Sequence, residues 1–229
     1  MQPAPSDFAF IGARDYVHGP TIFDAFRSRV LELAGSADAG LSMRLLRVNE
    51  TVRANGVIAV SAAGEPRPAW GRPAAEMACT AGGNAWHAGL YNRDPTPITK
   101  RVPAREKAFV ADVALSGSLT GSARLAGIRD NSDLFQAVVE ANKQVHLKTL
   151  TGDPLSSEVR FRFVYCLDYT CAPSTGDGTG TVSVASEGLR DAGEYLFSLT
   201  RLELRLGAFA STFKLCFAST GMKSRMQAA

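Results

Sequence analysis

The sequence predicts an α+β protein built from one unit used twice, each copy a curved antiparallel sheet wrapped around a central helix. Three observations carry this. The chain has 229 residues, 45% of them hydrophobic, which is enough to bury a sizeable core and excludes a disordered chain. Gly12-Ala13-Arg14-Asp15 leads after a short loop into Phe23-Asp24-Ala25-Phe26, and Gly127-Ile128-Arg129-Asp130 leads likewise into Phe135-Gln136-Ala137-Val138. In both halves a strand and a long helix are followed by further strands. One helix covers the face of so long a sheet only if the sheet curves around it. The halves read as 1–115 and 116–229.

The elements follow from local pattern. Residues 7–14 are short and apolar, a strand. Gly19-Pro20-Thr21 opens a helix whose apolar positions 22, 23, 26, 30 and 33 recur at helical spacing, and Gly35 closes it. Residues 41–52 and 57–62 read as strands, with Ala54-Asn55-Gly56 as a hairpin turn between them. Residues 64–73 form a Pro/Gly-rich loop. Gly82-Gly83 ahead of Trp86-His87 reads as strand, turn and strand with a packed indole. A strand over 108–115 ends the first half.

The second half opens with a strand over 122–129. Residues 131–150 are the clearest helix in the chain. Residues 158–169 alternate as a strand does, Ser174 to Gly180 is a flexible turn, and strands follow at 181–186, 194–206 and 209–219. The last nine residues read as frayed.

Composition removes several classes of function. Lys+Arg 25 against Asp+Glu 22 leaves +3, with no run of like charge, so nucleic acid is not an expected partner. No stretch approaches the ~18 apolar residues of a membrane span. The first residues lack the basic and apolar regions of a secretory signal, so the expected location is cytoplasmic. Cys79, Cys166, Cys171 and Cys216 lack metal-site spacing and are expected as reduced thiols, with no metal. No Gly-x-Ser-x-Gly elbow, P-loop or HExxH motif occurs.

The strand–helix–strands order, with Arg14-Asp15-Tyr16-Val17-His18-Gly19-Pro20-Thr21-Ile22-Phe23-Asp24-Ala25-Phe26-Arg27 leading into the helix, resembles the hotdog superfamily in its double form. It is similar to A-factor-type synthases and 3-hydroxyacyl-ACP dehydratases. The direct match spans about 14 residues, and the dehydratase His-Phe-Pro-Gly is replaced here by His18-Gly19-Pro20. The resemblance implies acyl chains carried on CoA or on the phosphopantetheine arm of an acyl carrier protein, in lipid or secondary metabolism. It implies no tightly bound cofactor. Dehydration (a lyase reaction), thioester hydrolysis and acyl transfer are the candidate reactions.

Five residues are candidates for the chemistry. Asn142 and His146 lie one turn apart within the apolar arc of Leu134, Phe135, Val138, Val139 and Val145, while Glu140, Gln136 and Gln144 point to the opposite side. A buried polar group without a partner costs roughly 1–3 kcal/mol. The pair therefore reads either as a satisfied core cluster or as groups that polarise a carbonyl and move a proton. Tyr16 and His18 precede the first helix, where a His suits a general base. Asp24 sits where the resemblance places a helix carboxylate, although periodicity turns it away from the apolar face. Arg14-Asp15 and Arg129-Asp130 read as structural supports of the two loops.

The leading hypothesis is an acyl-thioester enzyme. Its rivals are a non-catalytic ligand-binding or assembly protein on the same fold, and an RNA-processing protein with two ferredoxin-like halves. A homo-oligomer is compatible with any of them.

Overall fold

The computed structural model describes residues 2–36, 40–157 and 159–220. The chain forms two units. Unit 1 comprises Met1–Ala104 with Cys166–Pro173, and unit 2 comprises Arg105–Tyr165 with Ser174–Ala229.

Unit 1 contains β1 (Gln2–Pro5), β2 (Phe10–Ile11), α1 (Gly19–Ala34), β3 (Ser42–Val48), β4 (Ala54–Ala62), β5 (Ala75–Ala81), β6 (Asn84–Pro97) and β7 (Arg101–Val102). Its main sheet runs β1-β4-β6-β5-β3, and every pair in that order is antiparallel. Unit 2 opens with a 3-10 turn (Glu106–Phe109), followed by β8 (Val110–Gly117), β9 (Thr120–Leu125) and α2 (Asn131–Thr151). Next come β10 (Arg160–Thr170), β11 (Gly180–Ala192), β12 (Tyr195–Leu206) and β13 (Phe209–Thr220). The first half of β10 belongs to unit 2 and the second half to unit 1. The order in unit 2 is β10-β13-β12-β11-β9-β8.

Each unit packs one long helix against its antiparallel sheet, as the sequence predicts. α1 lies on β4, β5 and β6, and α2 on β8, β9, β11 and β12. In both units the strand before the helix pairs with the second strand after it: β1 with β4, and β9 with β11. The middle of the sheet differs. In unit 2 the last three strands are joined by consecutive hairpins, whereas in unit 1 β6 lies between β4 and β5. β8, which the sequence reading places at the end of the first half, pairs with β9 in unit 2.

Local chemistry explains the helix ends. Pro20 starts α1, where its fixed φ suits the helix and its missing N–H costs nothing. Gly35, at φ 57°, ends α1 in the left-handed conformation that glycine adopts without strain. Asp130 caps α2 by accepting from the Asp133 N–H at 2.8 Å. Arg129 then grips the Asp133 carboxylate with Nε at 2.7 Å and Nη2 at 3.1 Å. The matching Asp15 of unit 1 caps nothing; His18 holds the N-cap position there.

Three local expectations are corrected. Ala54-Asn55-Gly56 is not a hairpin turn, since β3 and β4 are not neighbours. Gly56 instead sits at a bulge in β4, where a Cβ would stand 2.2 Å from the Tyr91 carbonyl oxygen. Of residues 7–14 only Phe10–Ile11 is strand, paired in parallel with β7. The extended segment that joins the main sheet is the Pro-containing β1, at the edge of that order, where a missing N–H is tolerated. Glu140 and Gln144 do not face solvent: they are 2% and 3% exposed. Lys148, one further turn along that side of α2, donates to the Val113 carbonyl of β8, so β8 covers the side that helical periodicity assigns to water. The turn at Gly82-Gly83 joins β5 to β6 as expected, with Trp86 Nε1 donating to the Ala81 carbonyl at 3.1 Å. The frayed end assigned to the last nine residues lies outside the described residues.

In unit 1, Ile22, Phe23, Phe26 and Val30 of α1 are fully buried with Met43, Leu46, Met77 and Leu90. The Phe23 ring meets Tyr169 edge-on at 5.7 Å. In unit 2, Leu134, Phe135, Val138 and Val145 of α2 are buried with Leu202, Phe213 and Leu215.

Candidate functional site

Strand parity builds the polar site of unit 2. Alternate side chains of a strand face opposite ways. On β12 the buried series Leu196, Ser198, Thr200, Leu202, Leu204 and Leu206 faces α2. Two members of that series carry hydroxyls. On the facing helix, residues four apart stack on one side, which sets Asn142 one turn from His146.

Asn142 Nδ2 donates to Thr200 Oγ1 at 3.0 Å, and Thr200 donates onward to the Leu215 carbonyl at 3.2 Å. His146 Nδ1 lies 2.8 Å from the Asn142 carbonyl. A carbonyl only accepts, so Nδ1 carries the proton and Nε2 presents its lone pair. The imidazole edge meets Phe161 at 5.9 Å and Phe217 at 6.5 Å. Ser198 stands directly across from Phe217 in the β12–β13 register. Asn142, His146, Ser198 and Thr200 have no exposed surface.

Among the described residues, three atoms of this cluster have no hydrogen-bond partner: Asn142 Oδ1, His146 Nε2 and Ser198 Oγ. Buried polar groups are normally satisfied, so three exceptions in one neighbourhood call for an explanation. Two are acceptors and the third is a hydroxyl, groups that a buried water or a bound polar group satisfies. Burial holds His146 neutral, with its pKa lowered to about 4, while the hydrogen bond to the Asn142 carbonyl acts in the opposite direction.

The remaining candidates belong to unit 1. His18 is half-buried at the N-cap of α1, and its side chain makes no cap hydrogen bond. Its carbonyl accepts from Thr21 N at 3.0 Å and Ile22 N at 3.2 Å. Tyr16 is half-buried in the preceding loop, which Val17 N anchors to the Val52 carbonyl at 2.8 Å. Asp24 pairs with Arg27 at 2.6 Å along the helix surface. The structure therefore brings Asn142 and His146 together, and it turns Asp24 towards a cation on its own helix.

Ser198 and Thr200 escaped sequence reasoning. Their signal was present: Leu202, Leu204 and Leu206 set the inward parity of β12, and counting back by twos reaches both hydroxyls. Among the described residues no three ligating side chains converge on a metal position.

No protein-family profile matches the sequence, and no curated protein matches it. Solved structures do. The chain resembles the tesB protein of Mycobacterium avium subspecies paratuberculosis, with 12% identity, a TM-score of 0.52, and coverage of 95% of this chain and 92% of that one. It resembles the dehydratase domain of RzxB from Pseudomonas fluorescens at 12% identity and a TM-score of 0.50, over 95% and 93% of the two chains. A conserved hot dog fold protein from Alicyclobacillus acidocaldarius is 11% identical at a TM-score of 0.46, over 90% and 87%. The likeness at this identity is one of fold: in each unit an antiparallel sheet packs on one long helix.

Proposed function

We propose that this hotdog chain hydrolyses acyl thioesters carried on CoA or an acyl carrier protein, with Asn142 and His146 as the catalytic residues. The observation that carries the reading is the set of three unsatisfied polar atoms in the core of unit 2. Leaving each buried without a partner costs roughly 1–3 kcal/mol, a stability cost that chemistry on a bound substrate accounts for.

In this reading a water donates to Asn142 Oδ1 and His146 Nε2, and its free lone pair attacks the thioester carbon. His146 Nε2 takes the proton as the C–O bond forms. The Ser198 hydroxyl donates to the carbonyl oxygen as it gains charge. Collapse breaks the C–S bond, and His146 returns the proton to the leaving sulfur, giving a carboxylic acid and a free thiol. Thr200 positions Asn142. Because these groups are enclosed, the thioester enters past the half-buried Phe161 ring that lies against His146. A second reading puts the base at His18, favoured by its half-buried place at the α1 N-terminus, where backbone N–H groups point outward.

The test is incubation with a panel of saturated and 3-hydroxylated acyl-CoAs and acyl-carrier-protein thioesters, followed by mass spectrometry. Free thiol and free acid are expected, and Asn142→Ala and His146→Ala each lower the rate by roughly 100-fold while His18→Ala does not. Loss of water from a hydroxyacyl ester replaces hydrolysis with dehydration. Loss of activity in His18→Ala alone moves the base to α1. No reaction on any thioester leaves a ligand-binding module.

A further inference from the structure

We propose that the opposite face of unit 2's sheet carries a separate binding cleft for the carboxylate of a free fatty acid. The inference stands independently of the hydrolysis reading. On β12, Phe197 and Leu199 alternate with the residues that face α2, so they point away from the helix. The register sets Arg190 of β11 across from Phe197, Gly188 across from Leu199, and Cys216 of β13 across from Leu199 on its other side. With Val164 these residues line a cleft of about 510 Å³, within the size range of small-molecule sites.

Two features shape it. β11 bulges between Ser186 and Gly188, and a Cβ at Gly188 would meet nothing within 4 Å, so Gly188 leaves open space beside Leu199. Arg190 is the one charged residue among those lining the cleft; it is exposed and has no ion-pair partner among the described residues. An apolar slot with one guanidinium at its rim matches an alkyl chain that ends in a carboxylate.

The probe is 11-(dansylamino)undecanoic acid, followed by fluorescence and displaced by laurate, with circular dichroism to confirm that each variant is folded. Gly188→Leu is expected to abolish binding, and Arg190→Gln to weaken it about tenfold through loss of the charge-assisted pair. The uncharged methyl ester of the probe binds at least as weakly to the native protein as the acid does to Arg190→Gln. Asn142→Ala keeps full binding, which separates this cleft from the catalytic reading. The proposal is overturned if Gly188→Leu binds normally, if the ester binds as well as the acid, or if binding disappears in Asn142→Ala. It is equally overturned if light scattering shows a dimer that Gly188→Leu dissolves.

Discussion

His146 illustrates how one side chain reports on its surroundings. Its ring is tied to its own helix through Nδ1, and burial among Phe161 and Phe217 disfavours the imidazolium. The folded pKa of about 4 lies below the ordinary 6.5, so the unfolded chain binds the proton more readily. The stabilising effect is complete above pH 6.5 and is lost as the pH falls towards 4. We predict that wild type loses about 3 kcal/mol more than His146→Leu over that interval, measured by urea unfolding at each pH. Equal losses would place the ring in contact with water. Helical spacing made the Asn142–His146 pair legible in the sequence. It left open the full enclosure of both residues, because burial depends on Phe161, Phe217 and Thr200, which are distant in sequence.

At the scale of elements, α2 shows where periodicity stops being informative. A hydrophobic stripe with polar residues opposite normally means a helix with one wet face. Here β8 covers the second side, so Glu140 turns to neighbours on its own helix: Gln144 Nε2 donates to Glu140 Oε1 at 3.1 Å, and Lys143 lies 3.5 Å away. The helix is held at its start by the Asp130 cap. Replacing Asp130 with Ala is expected to cost about 1 kcal/mol and to lower the melting temperature, whereas Asp15→Ala, which removes no cap, should leave it nearly unchanged. A melting temperature that is equally insensitive to both changes would remove the capping account. Local signals found α1, α2 and the long strands of the second half. They missed β1, because Pro3 and Pro5 argue against a strand until an edge position excuses them.

At the scale of the whole molecule, each unit buries its own thiols. Cys79, Cys166, Cys171 and Cys216 are all buried and reduced. Burial pushes the Cys79 thiol up to about 12 and raises Cys166 and Cys216 as well. A thiol-exchange reagent should therefore leave Cys166 and Cys171 untouched in the native protein and react with all four thiols in denaturant. A fast-reacting thiol at either position in the native state would contradict that packing.

Features set within a turn of helix or a few residues of strand follow from local sequence. They include the two long helices, the Asn142–His146 spacing, the inward parity of β12 and the left-handed glycines at Gly35 and Gly82-Gly83. These depend on local sterics and period, which travel with the residues. Long-range pairing set the place of β6 between β4 and β5, the membership of β8 in unit 2, and the burial of Glu140 beside the exposure of Arg190. Strand order and burial depend on pairings between residues far apart in sequence, and no local preference encodes which partner arrives.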